Sequence, residues 1–515
     1  MTVIDLAKFA ATRSPQAPPT TPARPAPRPR RSSRSVVATS VGLGAFLVSF
    51  IGNWIPSLWY DEVATVTSAT RTWSELGAEI HHVDAVHALY YSMMHVVFEV
   101  FGYSPLTLRL PSALAVGITA ALVVILVSKL GSMRVALLSG IVFAIMPRVT
   151  WMGGEGRSYA LTAMMAVLLT LALVNALRTS RRRWWVIYGV LAVLSTVLFA
   201  YLVFVIAAHV VSVVLRVAQQ RVRRPDLIAF VVAVAAAAVI VSPFLALIHS
   251  ERQQVAWLSS VNWDTLRQVY ETQWFWGSAV GPAVSWALLA IGAARMMRAR
   301  HTELSAFVLP AALVPTVIIV GLSALGEHLY SPRYLAMCTP FVAIVVALGI
   351  AWFRRRWVPV AVIAVLAAFA LVHQVTAQRI VEAKSSSSWS EVASGLAAHR
   401  ASLDHDARAA MIFGPVLGHP SATSRVIEYA YPQAFDDTKD LTLATPAAET
   451  GALWETHRSL ESSTAGTAGI DVAYLITSVK QDRRFSTLAT LRSDGWRQAG
   501  EWHYTGVNVV RYVRG

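Results

Sequence analysis

The chain is poor in cysteine and in charge. One cysteine, Cys338, stands among 515 residues, so an intramolecular disulfide framework or a thiolate metal cage is excluded. Only 14% of residues are Asp, Glu, Lys or Arg, against about 25% in soluble globular domains. That scarcity argues against a soluble enzyme, a disordered protein or a simple nucleic-acid binder. Acidic residues are the rarer sign, 29 against 44 basic, for a formal net charge of +15. What is abundant is apolar. Hydrophobic residues make up 55% of the chain, and the mean hydropathy is +0.51. High apolarity with a basic excess fits an integral membrane protein with basic loops on one side; the other reading of +15 is polyanion binding. Where the charges fall decides between them.

Residues 1–35 are rich in Pro, Ala, Ser, Thr and Arg and end in PRPRRSSRS. Such a segment has too little to bury and is expected to be a disordered, basic cytoplasmic tail. Apolar runs suited to membrane helices follow at 36–56, 109–130, 134–151, 158–177, 184–199, 201–217, 227–248, 279–295, 303–325, 333–353 and 357–375. That makes eleven. The first is read as a retained helix, because it is long for a signal peptide, sits behind 35 residues and lacks a small-residue cleavage site. Beyond 376 the long runs stop. Strand-like segments at 409–415, 471–478 and 505–513, with helix-like segments at 390–401 and 483–493, indicate a small α/β domain outside the membrane. The expected architecture is a polytopic α-helical membrane domain at 36–375, with a first outer loop at 57–108, and an extracytoplasmic α/β domain at 376–515.

Residues 87–103 are apolar but short, and carry His87, His95 and Glu99. If this segment spans, every later helix inverts. If it lies on the outer surface as an amphipathic helix, each short-loop basic cluster is cytoplasmic: Lys129/Arg134, Arg178 with Arg181–Arg183, Arg216 to Arg224, Arg295 to Arg300, and Arg354–Arg356. The positive-inside tendency selects the second arrangement. The cytoplasmic segments then hold 23 of the 44 basic residues and 3 of the 29 acidic ones, so the excess reports orientation rather than a polyanionic partner. Arg109 is expected to anchor its helix by snorkelling. His209 and His373 are the main ionisable residues within the runs, which weakens a coupled-transporter reading.

The outer turns carry the chemistry. Trp59-Tyr60-Asp61-Glu62 follows the first run, Glu155-Gly156-Arg157-Ser158-Tyr159 opens another, and His328-Leu329-Tyr330-Ser331-Pro332-Arg333-Tyr334 precedes the tenth. An Asp at a helix start also fits plain N-capping. Three turns at one depth bearing carboxylates, guanidiniums and tyrosines instead suit group transfer from a lipid phosphate: a carboxylate takes the acceptor's proton, and Arg forks match phosphate oxygens. His81, His82, Asp84 and His87 are a candidate divalent-metal set, against the plainer reading of a polar interfacial loop.

The motifs WYDE (59–62), DAVHALYYSMMHVVFEVFGYSPLTLRLPSALAVG (84–117), EGRSYAL (155–161) and SPRYLAMCTP (331–340) resemble, in that order, the GT-C membrane glycosyltransferases of the family 39-like group, which contains protein O-mannosyltransferases and aminoarabinose transferases. The resemblance implies inverting transfer of one sugar, mannose first, from a polyprenyl-phosphate donor to a glycolipid, polysaccharide or protein of the cell envelope, without a metal or other cofactor. It implies a catalytic set of Asp61 as general base, Glu62 as its neighbour and Glu155 across the pocket. It implies Arg157, Arg333, Tyr334 and His328 toward the donor phosphate, and His87, Tyr159 and Trp257 toward substrate. Two departures stand out: Val86-His87-Ala88 replaces the family's His-Pro-Pro, and Gly156-Arg157-Ser158 replaces Ala-Arg-Pro. The Ala-, Val- and Arg-rich composition fits an actinobacterial source. The rivals are arabinofuranosyl transfer from decaprenyl-phospho-arabinose, a lipid or sugar transporter, and a non-catalytic scaffold.

Overall fold

The computed structural model describes residues 31–255, 258, 260–276, 280–298, 302–404, 406–416, 422–460 and 466–515. The tail up to residue 30, and Trp257, lie outside the described residues. Helices run in the order α1 (Arg31–Phe50), α2 (Tyr60–Ala69), α3 (Trp73–Ile80), α4 (Ala88–Phe101), α5 (Pro105–Leu130), α6 (Met133–Ile145), α7 (Pro147–Gly153), α8 (Tyr159–Thr179), α9 (Arg182–Leu198), α10 (Val203–Ala218), α11 (Arg224–Ser250), α12 (Trp263–Glu271), α13 (Val280–Arg298), α14 (Glu303–Ala324), α15 (Thr339–Ile350) and α16 (Trp357–His373).

Each of the eleven expected runs contains helix, the first ending at Phe50 rather than 56. Among the described residues, eight helices are long and apolar enough to cross a membrane, or nine if α6 and α7, bent by 63° at Pro147, form one span. Arg34–Phe50 and Arg182–Leu198 are shorter. Phe199 breaks α9 from α10 with an extended backbone, φ −163° and ψ 113°. The chain is a multi-pass membrane protein. Helix α4 has 14 residues, about 21 Å at 1.5 Å per residue, too short for a ~30 Å hydrocarbon core. It buries Tyr90, Tyr91, Met94, His95 and Phe98 and leaves Val96, Val100 and Phe101 outward.

Inside the bundle there is little hydrophobic driving force between helices, so close packing and polar contacts hold them together. A Cβ on Gly292 of α13 would collide with the Val345 carbonyl of α15, and one on Gly349 with the Leu288 carbonyl. Only glycine allows that approach. His209 lies between Thr170 Oγ1 (3.0 Å) and Tyr188 Oη (3.1 Å), using both ring nitrogens to tie three helices. It is a structural bridge.

The two ends of the bundle differ in charge. At one end Arg178 Nη2 meets Glu303 at 2.5 Å, Lys129 donates to Asn175, and Arg134 to the Phe353 carbonyl. These are the loops read as basic and cytoplasmic. At the other end the segments around 53–62, 154–157, 331–334 and 378–388 converge.

The C-terminal region is α/β. Strands β1 (Ala409–Phe413), β2 (Lys439–Asp440), β3 (Leu443–Thr445), β4 (Thr456–His457), β5 (Val472–Ser478), β6 (Trp496–Tyr504) and β7 (Val507–Arg514) form a five-stranded sheet, ordered β2-β1-β5-β7-β6, and a separate β3-β4 pair. β1 is parallel to β2 and β5, while β7 is antiparallel to β5 and β6. Strand β6 went unread in the sequence: Trp496–Tyr504 mixes polar and apolar residues as an edge strand does. The domain seats directly on the 57–108 segment. Tyr431 Oη accepts from Leu58 N–H (2.9 Å), Tyr103 Oη donates to the Ala430 carbonyl (2.6 Å), and Trp454 Nε1 donates to Tyr60 Oη (2.6 Å).

Candidate functional site

The WYDE segment starts α2, so Asp61 and Glu62 stand in its first turn, where the N-terminal partial positive charge favours carboxylates. Their side chains go opposite ways. Asp61 Oδ2 accepts from Arg333 Nη1 at 2.6 Å, and both groups keep some access to solvent, 18% and 17% exposed. Glu62 is wholly buried. Arg109 donates to it through Nε (2.8 Å) and Nη2 (2.6 Å), Lys384 Nζ at 2.8 Å and Gly156 N–H at 2.8 Å. Burial alone would raise its pKa, but Arg109 and Lys384 together hold the carboxyl down at about 2. Glu155 is also buried. Its Oε1 lies 3.0 Å from Lys384 Nζ and its Oε2 accepts from Trp59 Nε1 at 3.1 Å. Burial and the neighbouring Glu62 raise its pKa against the pull of Lys384.

The geometry thus separates the three carboxylates assigned to catalysis. Asp61 alone is within reach of a ligand. Glu62 and Glu155 face a buried ion network that ties the 154–157 turn to α2. Arg109 departs from the expected interfacial anchor. It does not snorkel; it is fully buried, with Nη1 donating to the Asn53 and Pro56 carbonyls at 2.7 and 2.9 Å.

Arg157 sits under Asp61, donating to the Asp61 carbonyl (3.2 Å), Tyr91 Oη (3.1 Å) and His87 Nε2 (2.5 Å). A guanidinium always donates, so His87 Nε2 accepts and the ring is neutral. Burial, then the charges of Arg157 and Arg333, depress its pKa well below the usual range. Its Nδ1–H is buried without a protein partner. Tyr91 passes the contact on to Asp84 Oδ2 at 2.8 Å.

An aromatic wall faces the Asp61–Arg333 pair. Tyr334 lies 6.4 Å from Tyr159, 5.7 Å from Phe199 and 5.1 Å from Tyr201, ring centre to ring centre. The Arg333 guanidinium stands 5.5 Å from the Trp59 ring and 5.6 Å from Tyr334. Tyr159 is buried and Tyr334 half-buried.

His328 is exposed and hydrogen-bonds the Leu258 carbonyl through Nδ1. The candidate metal set is dispersed: His81 and His82 bond the Gly77 and Ala78 carbonyls, Asp84 holds Tyr91, and His87 holds Arg157. Among the described residues no three His, Cys, Asp or Glu side chains converge as metal ligands.

Lys384 was missed in the sequence. It lies in Lys384-Ser-Ser-Ser-Ser388, which reads as a plain linker. The available signal was that lysine occurs only five times in the chain, and this one follows the last span directly. Phe199 and Tyr201 were missed because they sit inside an apolar stretch.

Comparison with known proteins bears on the fold. The family model described as Dolichyl-phosphate-mannose-protein mannosyltransferase matches residues 88–247. No curated protein matches the chain. ArnT from Cupriavidus metallidurans bound to undecaprenyl phosphate has 14% identity and a TM-score of 0.56, covering 93% of this chain and 98% of that one. The apo form of the same enzyme gives 14% identity and a TM-score of 0.59, with the same coverage. The fold is that of the GT-C membrane glycosyltransferases.

Proposed function

We propose that this protein transfers a sugar, mannose in the first instance, from a polyprenyl-phosphate donor to a cell-envelope acceptor. The single observation that carries the reading is the accessible Asp61–Arg333 pair, a carboxylate and a guanidinium 2.6 Å apart beside an aromatic wall. In this reading the acceptor hydroxyl oxygen attacks the anomeric carbon from the face opposite the phosphate. The carbon–oxygen bond to phosphate breaks, the polyprenyl phosphate leaves with the electron pair, and the hydroxyl proton goes to Asp61. Arg333 moves from Asp61 to the phosphate as the donor binds, with Arg157 behind it, and the fork geometry suits that exchange. Charge neutralisation falls to arginine, so the scheme calls on no cofactor. The site is read as facing outward, because the basic loops gather at the opposite end of the bundle.

The second sugar is arabinofuranose, carried on the same lipid phosphate; the residues around Asp61 do not choose between the two. The test feeds membranes containing the protein with radiolabelled polyprenyl-phospho-mannose or decaprenyl-phospho-arabinose. Label passing to an envelope fraction, with donor consumed, supports transfer and names the sugar. A transporter would move label while leaving the donor intact.

A further inference from the structure

We infer that the seam between the C-terminal domain and the first outer loop holds a neutral saccharide of the acceptor, in a cavity built from Trp59, Tyr60, Trp389 and the Ser385-Ser386 turn. The inference rests on the transferase reading above and names the acceptor class for that site. The cavity measures about 60 Å³, room for roughly four to six water-sized groups and so for the hydroxyl-bearing edge of a sugar ring.

Three observations converge on it. First, it touches the reaction site through one shared wall. Trp59 lines the cavity, while its ring lies beneath the Arg333 guanidinium and its Nε1 donates to Glu155. Asp61 is two residues further on. Second, the chemistry is that of sugar recognition. Three aromatic residues line the cavity, the other linings are largely Ser and Thr, and none of the described lining residues is charged. An anionic or cationic ligand would find no counter-charge among those residues, whereas hydroxyls and ring C–H groups suit them.

Third, the turn is strained at the cavity. Ser387 N–H donates to the Lys384 carbonyl at 2.9 Å, and both central residues are left-handed, Ser385 at φ +51° and Ser386 at φ +55°. That is the pattern of a turn normally built from Gly, Asn or Asp. Glycine would take it without strain and leave Lys384 in place. Serine instead sets two exposed hydroxyls at the cavity. Strained residues held in place by their surroundings concentrate where ligands bind.

The experiment uses the full chain in nanodiscs. Mannobiose, an arabinofuranosyl disaccharide, a uronic-acid disaccharide and a Ser/Thr-rich peptide are titrated calorimetrically, and turnover is followed with polyprenyl-phospho-sugar. The Ser385→Gly/Ser386→Gly variant relieves strain, so lost binding cannot be blamed on misfolding. Expected is a roughly tenfold weaker Kd for a neutral disaccharide, from two lost hydrogen bonds, with a matching rise in acceptor KM and an unchanged donor KM. Ser385→Asn/Ser386→Asn, which tolerates the left-handed turn and keeps polar groups, retains most of the affinity. No disaccharide binding by the unaltered protein, or equal affinity in the glycine variant, overturns the inference, as does serine-dependent binding of the peptide or the uronic-acid disaccharide alone. Serine-dependent disaccharide binding without any donor turnover leaves the cavity standing and removes the transferase reading. Turnover with serine-independent binding does the reverse.

Discussion

Arg333 Nη1 lies 2.6 Å from Asp61 Oδ2 across 272 residues of chain. The contact joins the turn before α15 to the first turn of α2. It gives the one accessible carboxylate of the cluster a partner that a lipid phosphate can take from it. Arg333→Ala removes that partner. Donor KM is expected to rise at least tenfold, since a charge-assisted contact is lost, and Arg333→Lys restores only part, because a point charge cannot form the fork. Steady-state kinetics at varied donor concentration check this; an unchanged donor KM in the alanine variant contradicts it.

Lys384 bridges Glu62 and Glu155 from within the linker. Lys384→Met leaves two buried carboxylates short of a counter-ion, which costs about 3–5 kcal/mol when a buried pair is broken. The expected result is a markedly lower midpoint in a detergent thermal-unfolding assay. Lys384→Arg, which keeps the charge but must fit a larger head into a closed site, recovers part of the loss.

Glu79 provides a pH signature. Burial raises its pKa to about 7 despite Arg71 at 3.0 Å and the Ser68 hydroxyl at 2.7 Å. The folded state therefore holds a proton that the unfolded chain, titrating near 4.5, has released. Between those values the native form binds more protons, so stability falls as pH rises. This contribution is full below pH 4.5 and gone above about 7. Glu79→Gln is neutral throughout and flattens that part of the curve. Thermal midpoints of both proteins across this window test the sign.

Gly156 gives its N–H to Glu62 and packs on Leu108. A Cβ there would come within 2.6 Å of Leu108 Cγ. Gly156→Ala is expected to displace the 155–157 turn, so transfer falls with both Arg157 and Glu155 chemically intact. A fully active Gly156→Ala protein shows that the turn has slack.

Much of this was legible in the sequence because it depends on one-dimensional quantities. Run length and polarity marked the apolar runs that contain helix, and the shortness of 87–103 marked α4 as too short to span. WYDE, EGRSYAL and SPRY marked the three turns that meet. What was not legible is which charge faces which. Asp61 and Glu62 are neighbours in sequence, yet a step of about 100° along α2 sends one to Arg333 and the other into the core. Arg109 looked like an interfacial anchor because a lone Arg near a helix start usually snorkels; only the Asn53–Ser57 carbonyls and Glu62 show why it is buried. Lys384 comes from beyond the last span, and no local pattern announces a contact made across 322 residues.

The most direct test compares the unaltered protein with Asp61→Asn in membranes given radiolabelled polyprenyl-phospho-sugar. Asn keeps the shape of the side chain and cannot take the proton. The account predicts folded, normally abundant Asp61→Asn protein whose sugar transfer is at least ~100-fold slower, as loss of a general base entails. Transfer at the unaltered rate would contradict it and remove Asp61 as the base.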